Sequence, residues 1–320
     1  MTQPKNEPSM SSGRHDVADI TFDAFSVDKP LLLYTRDKRY MALHDDPNRA
    51  RWNWAYMTKY DDARHMADIR PVIIQRTSGG YTAYVDDTYV SKKKYLCMQS
   101  YGWGNKTYCY WATTPDKGDT VMRFNILKGS RGEGWIIRST EGMDMVETDW
   151  FRPYYVHMAK AMEGRTTRGV LEFTFQQLMT KREVLDALYD QCDNVTDHFN
   201  PLCLDDELRL VDKEEVKVVY EASGLKAFKG LPESFDCDDF AYVLKGEASK
   251  QSYQMLLARA LAVGIVVGYN VDGSKSHAAN IYIDQSRKVW IYEPQEQKSY
   301  GVNHWPDGEN GEYDVDFVLF

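Results

Sequence analysis

Strand-like segments recur in sets of three through the first half of the chain, and this recurrence constrains the fold more than any other feature. Apolar runs that could be equivalent strands begin at Arg39, Lys94 and Gly142, spaced 55 and then 48 residues apart. Each is followed by an aromatic-bearing run and then by a third apolar run. Since one unit of about fifty residues cannot bury its own apolar face, three units are expected to close on one another. The pattern predicts a pseudo-threefold β-barrel, the β-trefoil, with another β-barrel or a sandwich as the alternative.

The middle runs of the three sets are rich in aromatic residues and cover residues 52–56, 107–111 and 152–156. Aromatic side chains in a small barrel usually fill its core, but an exposed ring, such as that of Trp103, could stack on a sugar. We therefore expect this half of the chain to bind a partner or a glycan and to perform no chemistry.

Helical signals begin after residue 178. Two segments have the spacing of a capping box, Thr180 with Glu183 and Asp212 with Glu215, and Gly224 closes the second. A further helix should begin near Asp236, and an apolar stretch with helical character follows. Three strands come next. The helical stretch covers residues 253–262, and the three strands cover residues 264–270, 276–284 and 288–293. Helices followed by an antiparallel meander indicate an α+β domain.

The length of 320 residues favours two domains. The predicted boundaries are a disordered tail over 1–17, a β-trefoil-like domain over 18–178 and an α+β domain over 179–320. A net charge of −9 argues against nucleic-acid binding, because neutralising phosphates requires clustered Lys and Arg. No apolar run is long enough to span a membrane, and the start lacks the apolar region of a secretory signal. A cytoplasmic location is therefore expected.

Cys237 is the strongest candidate for a chemically active residue. It lies in a segment with three aspartates, where Asp236 can cap a helix and place Cys237 in the first turn. A helix N-terminus lowers the pKa of a thiol and can hold a developing oxyanion. His277 follows 40 residues later at the start of a strand, and Glu293 lies 16 residues further on, at the end of the next strand. A nucleophile, a base and a third polar group that orients the base are what nucleophilic catalysis requires.

Three segments around these residues resemble the C-terminal domain of the fungal chimerolectins of the Marasmius oreades agglutinin type. They read Phe-Asp-Cys-Asp-Asp-Phe-Ala at 235–241, Ser-His-Ala-Ala-Asn at 276–280 and Ile-Tyr-Glu-Pro-Gln at 291–295. That family joins a β-trefoil lectin to a papain-like, calcium-dependent cysteine protease domain that also dimerises. Its lectin domain carries Gln-x-Trp repeats, and this chain has no Gln-x-Trp triplet, so the likeness of the first half is one of architecture.

The resemblance implies a calcium-dependent cysteine endopeptidase of papain-like fold, in the role of a defence or toxin protein, that acts on peptide substrates and forms a homodimer. Cys237 would be the nucleophile, His277 the base and Glu293 the third member. The implied calcium ligands are Asp238, Asp239, Glu293 and Gln295. Independently of the resemblance, the aspartates around Cys237 would disfavour a thiolate unless a cation compensates them, and oxygen ligands suit Ca2+.

Two other functions compete with the peptidase. One is a cell-wall amidase of the NlpC/P60 kind, which also has an Asp-Cys at a helix start and a His on a strand. The other is a non-catalytic, dimeric glycan-binding lectin or toxin. An inert Cys237 would favour the second.

Overall fold

The computed structural model describes residues 27–43, 53–59, 68–87, 92–101, 106–129, 134–147, 154–160, 169–254, 257–309 and 311–320. The predicted tail over 1–17 and Trp103 lie outside these ranges. The chain divides into two compact units, Met1–Phe175 and Gln176–Phe320.

The described part of the first unit is built from strands. They are β1 (Pro30–Thr35), β2 (Arg39–Leu43), β3 (Asn53–Lys59), β4 (Val72–Thr77), β5 (Gly80–Asp87), β6 (Lys92–Tyr101), β7 (Lys106–Ala112), β8 (Thr120–Val121), β9 (Phe124–Lys128), β10 (Trp135–Ser139), β11 (Met143–Glu147), β12 (Tyr154–Lys160) and β13 (Glu172–Thr180), which continues into the second unit.

Antiparallel pairing closes ten of these strands into a ring, in the order β1-β2-β3-β7-β12-β11-β10-β9-β5-β4 and back to β1. The predicted fold class, a β-trefoil followed by an α+β papain-like domain, is wrong: the chain is mostly β and its first unit is this ten-stranded closed barrel. The spacing of strand triplets locates strands along a chain, but hydrogen bonds between edges decide which strands become neighbours.

The three aromatic strands are direct neighbours. β3 pairs with β7, β7 with β12, and β12 with β3. Because successive side chains of a strand point to opposite faces, Ala55 and Met57 of β3 enter the barrel core, together with Cys109 of β7. Trp54 and Tyr108 therefore face outward.

The described residues of the second unit form three α-helices, a short 3-10 helix (Leu225–Ala227) and a six-stranded sheet. The helices are α1 (Lys181–Gln191), α2 (Lys213–Ser223) and α3 (Cys237–Gln254); the remaining strands are β14 (Val195–Leu202), β15 (Glu207–Arg209), β16 (Ala260–Leu261), β17 (Val263–Asn270), β18 (Ser276–Ile283), β19 (Val289–Glu293), β20 (Lys298–Gly301) and β21 (Tyr313–Leu319). The sheet order is β14-β21-β17-β18-β19-β20, antiparallel except between β14 and β21.

The local signals of the second unit are confirmed with one exception. Both capping boxes form, at Thr180 and Asp212, and Gly224 ends α2 with a left-handed φ of 75°. The helical stretch expected over 253–262 is wrong, because residues 257–262 form no helix and contain β16. None of the helices in the described ranges is both long and apolar enough to cross a bilayer.

Candidate functional site

Cys237 is the first residue of α3. The turn before it is fixed in two ways: Asp236 N–H donates to the Asp239 carboxylate at 3.1 Å, and the Phe235 ring packs 4.8 Å from that of Phe240. Neighbouring residues leave the thiol half-buried. The unpaired N–H groups of the first turn and the helix dipole favour negative charge at this position.

His277 and Glu293 come from adjacent strands, β18 and β19. The ring nitrogen Nε2 of His277 lies 2.7 Å from Oε2 of Glu293. Glu293 is only 4% exposed, and its other oxygen accepts a hydrogen bond from the Gln295 N–H at 3.2 Å. The carboxylate is therefore fixed, and it determines which nitrogen of His277 remains for Cys237.

Two aromatic rings pack against the imidazole. Tyr313 stacks on His277 with ring centroids 5.3 Å apart, and Trp305 packs against it at 5.6 Å. Neither residue was predicted to belong to the site. Trp305 lies in the segment between β20 and β21 and Tyr313 begins β21, so no spacing rule connects them to His277 along the chain.

Cys237 and His277 change each other's ionisation. The hydrogen bond from His277 lowers the pKa of Cys237, against the opposing effect of burial and the charge of Asp236. Burial acts to lower the pKa of His277, but hydrogen bonds to Cys237 and Glu293 outweigh it and raise the pKa to about 9. Both shifts favour a thiolate beside an imidazolium, the state in which a thiol is reactive.

The other four cysteines are free and buried, and the pKa values of their thiols are shifted in the direction opposite to that of Cys237. Burial raises the pKa of the Cys97 and Cys192 thiols to about 12. Burial also raises the pKa of Cys109 and of Cys203. Selective labelling of Cys237 is therefore feasible without replacing the others.

The carboxylates predicted to bind calcium do not all occupy one cluster in the described residues. Asp236 and Asp238 lie with Cys237 in a group whose ligand atoms are within 4.8 Å of one another. Asp239 accepts from the Asp236 N–H, while the Gln295 amide lies near Gly230, in the loop before α3. A hydrogen bond between Asp236 and Asp238 lowers the pKa of the first and raises that of the second.

Asn280 lies on the face of β18 opposite to His277, as strand alternation predicts. It is fully buried, and its amide donates to Ala241 O at 2.9 Å and to Gly264 O at 3.0 Å. The first bond ties α3 to the sheet one turn after Cys237, so Asn280 helps to set where the thiol lies.

A second candidate site is the outward face of β3, β7 and β12 in the first unit. Four half-buried rings adjoin there, which we call the aromatic cluster: Trp54, Tyr108, Tyr155 and His157. The Trp54 ring centroid lies 5.6 Å from that of Tyr108 and 5.9 Å from that of Tyr155. The sequence identified the three aromatic strands, but not that they pair and bring these rings together.

Among the comparisons with known proteins, a family model matches part of the second unit. Residues 209–299, which include Cys237, His277 and Glu293, match the family model described as Agglutinin C-terminal. No curated protein matches the chain.

Several solved structures are similar at low identity. The structure of a PSL1a–E64 complex is 20% identical, covers 92% of this chain and 100% of its own, and has a TM-score of 0.47. A lectin from Polyporus squamosus, bound to the epitope Neu5Aca2-6Galb1-4GlcNAc, is also 20% identical over the same shares, with a TM-score of 0.45. The cytolethal distending toxin of Haemophilus ducreyi is 14% identical over 45% of this chain and 79% of its own, with a TM-score of 0.30.

The family match contradicts one prediction and leaves others open. The region that carries the three candidate catalytic residues matches an agglutinin model and not a peptidase model, so the prediction of a cysteine endopeptidase is wrong. The match shows that residues 209–299 of the second unit are agglutinin-like. A homodimer and a calcium ion stay predictions.

Proposed function

We propose that this chain is a glycan-binding protein of the lectin type, and that a sugar ring stacks on the aromatic cluster of the first unit. The observation that carries the proposal is the adjacency of the Trp54, Tyr108 and Tyr155 rings on the outside of the barrel. The agglutinin match in the second unit supports it.

Aromatic faces suit saccharides because a sugar ring presents C–H groups on one side and hydroxyl groups around its rim. The C–H side packs on an aromatic face, and the hydroxyl groups need polar partners. Trp54 offers the largest face of the cluster, and its neighbours at 5.6 and 5.9 Å extend the platform on two sides.

Polar groups lie beside the platform. His157 has its ring 6.1 Å from Tyr108, and Gln99 is the β6 residue paired with Tyr108. Within the described residues, the Gln99 side-chain oxygen is buried without a hydrogen-bond donor. Such an acceptor is uncommon in a folded protein, and a rotation of the side chain would present it to a sugar hydroxyl.

A glycan array with the full chain, followed by isothermal titration calorimetry with the strongest glycan, tests the proposal. Trp54→Ala and Tyr155→Ala should each weaken binding at least tenfold. Tyr95→Ala is the matched control, because Tyr95 is a half-buried tyrosine of the same unit that packs on Tyr84, away from the cluster. Wild-type protein that binds no glycan, or variants that bind as the wild type does, would refute the proposal.

Calcium binding near Cys237 remains a second proposal. The Asp236 and Asp238 carboxylates have oxygens within 4.8 Å of each other, close enough for one calcium ion to bind both. Bound calcium would there offset the negative charge around the thiol. Asp238, Asp239, Glu293 and Gln295 are the ligands that the resemblance implies, and Asp236 joins them because it lies beside Asp238.

A further inference from the structure

The first unit contains a cleft where β6 and β8 meet the turn between β10 and β11, which we call the barrel cleft. Its volume is about 410 Å³. Its lining residues are Met98, Thr120, Val121, Arg123, Thr140 and Glu141. Small-molecule sites in proteins have volumes of roughly 300–1,000 Å³, so the barrel cleft is large enough for a small ligand.

The walls of the barrel cleft are fixed by backbone hydrogen bonds. The Thr140 N–H donates to Arg123 O at 2.9 Å, which joins one wall to the other. Behind Arg123, the Met122 N–H donates to Leu96 O at 2.8 Å, and in the opposite turn Gly142 takes a left-handed φ of 81°. A ligand would therefore bind there without having to order a loop, which is a cost that weakens many binding sites.

The polar groups of the barrel cleft include both donors and acceptors. The Arg123 guanidinium only donates, the Glu141 carboxylate only accepts, and the hydroxyl groups of Thr120 and Thr140 do both. All four residues are exposed, and within the described ranges no side-chain hydrogen bond or ion pair engages them. Met98 is buried and adds an apolar base. These groups are available to a bound molecule.

The charges of the barrel cleft favour a neutral ligand. Arg123 and Glu141 carry opposite charges, so a carboxylate on the ligand would meet Glu141, and an ammonium group would meet Arg123. Placing like charges against each other disfavours the charged ligand in either case. A neutral saccharide avoids both penalties, because each of its hydroxyl groups donates and accepts, and its C–H groups can pack on Met98.

We propose that the barrel cleft binds a neutral hexose residue and is a second sugar site of the first unit. The inference rests on the proposed lectin-type function, because it assigns another site of the same kind to the same unit. The two sites are distinct. Met98 lines the cleft, whereas the next residue of β6, Gln99, is paired with Tyr108 of the aromatic cluster, and consecutive side chains of a strand point to opposite faces. Two sites on one chain would increase its avidity for a branched glycan.

The methyl group of Met98 reports binding in the barrel cleft directly. The full chain, labelled with 13C-methyl methionine, is titrated with the methyl glycosides of galactose, glucose and mannose, and Met98→Leu assigns the signal. At least one of these neutral sugars should shift the Met98 signal. Met145, which is fully buried in the barrel core, should not respond.

Substitutions at the two charged residues test the polar contacts. Arg123→Ala and Glu141→Ala should each weaken the binding read at Met98 by at least tenfold, as expected for a lost hydrogen bond to a charged group. Arg36→Ala is the matched control, because Arg36 is an exposed arginine of the same unit that does not line the cleft.

Charged sugars test the preference for a neutral ligand. Glucuronic acid and glucosamine should each bind the barrel cleft more weakly than methyl glucoside does. Glu141→Gln should improve the binding of glucuronic acid relative to methyl glucoside, because it removes the like charge. A purely structural role of Glu141 would not change this ratio.

The proposal is overturned if no neutral hexoside moves the Met98 signal, or if the signal moves equally in Arg123→Ala. The variants also separate this site from the aromatic cluster. Glycan binding that is lost in Trp54→Ala while Met98 never responds would leave the cluster as the site and refute the cleft. A Met98 shift that depends on Arg123, with unaltered glycan affinity in Trp54→Ala, would support the cleft and refute the cluster. Circular dichroism of each variant distinguishes a lost contact from a lost fold.

Discussion

The imidazole of His277 and the carboxylate of Glu293 form a buried pair, with 2.7 Å between Nε2 and Oε2 and only 4% of Glu293 exposed. Glu293 on β19 favours the protonated form of His277 on β18. His277 in turn lowers the pKa of Cys237. The chemistry of the thiol therefore depends on a residue that it does not touch.

His277→Ala should raise the pKa of Cys237. The hydrogen bond from His277 is the largest influence on the thiol, and without it burial and Asp236 both disfavour the thiolate. Because only the thiolate reacts, the rate of alkylation by iodoacetamide at neutral pH should fall at least tenfold, and its pH profile should move to higher pH. Mass spectrometry of the Cys237 peptide across pH measures both.

His304→Ala is the control for this experiment. His304 is an exposed histidine of the same unit with Nδ1 3.1 Å from a Glu312 oxygen, and no hydrogen bond joins it to Cys237 among the described residues. Its removal should leave the profile unchanged. An unaltered profile in His277→Ala would show that the imidazole does not activate the thiol.

Glu293→Gln should lower the pKa of His277 from about 9. Burial already opposes the imidazolium, and the substitution removes a negative charge that favours it while keeping the size of the side chain. The fraction of protonated His277 at pH 8 should therefore fall, which a titration of the imidazole proton by NMR would show. Glu312→Gln, which removes the partner of His304, should not change the His277 titration.

The sequence could predict the Cys237, His277 and Glu293 relationship because each of the three lies at the end of an element with strong local signals. Capping chemistry placed Cys237 in a first helical turn, and alternation with turn residues placed the two strands. Trp305 and Tyr313 could not be predicted as partners of His277, since their contact depends on how β21 returns to the sheet. The barrel was mispredicted for the same reason. The position of a strand depends on the nearby sequence, whereas its pairing depends on residues that are distant in the chain.

Calcium should raise the melting temperature if the proposed oxygen site exists. A ligand that binds only the folded state stabilises it by about 2.7 kcal/mol at one hundred times its dissociation constant. We expect a rise that depends on Ca2+ concentration and disappears in Asp238→Asn. Asp197→Asn, an exposed aspartate on β14, is the control and should keep the rise. A wild-type melting temperature that is the same with chelator and with excess Ca2+ would exclude the site.

Gly268→Ala and Gly246→Ala should change stability in opposite directions. A Cβ at Gly268 would lie 2.7 Å from Trp305 and 2.8 Å from Asp314 O, so a rigid ring and the backbone would have to move. A Cβ at Gly246, within α3, meets nothing within 4 Å. Alanine is favoured over glycine in a helix by roughly 0.8–1.0 kcal/mol. Urea unfolding should show a loss at position 268 and a gain at 246, and a stable Gly268→Ala would contradict the packing around Trp305.

Asn280→Ala should destabilise the second unit more than any exposed asparagine substitution. Asn280 is fully buried and supplies two donors, to Ala241 O at 2.9 Å and to Gly264 O at 3.0 Å. Alanine would leave a cavity and remove both hydrogen bonds, and each buried polar group left unsatisfied costs about 1–3 kcal/mol. Asn280→Asp should be worse, because its carboxylate would face two carbonyl oxygens.

Asn200→Ala, at an exposed position of β14, should stay within about 0.5 kcal/mol of the wild type. Equal unfolding free energies for Asn280→Ala and Asn200→Ala would show that the amide does not hold α3 to the sheet, and the position of Cys237 would then have to depend on the packing of Phe235 and Phe240 alone.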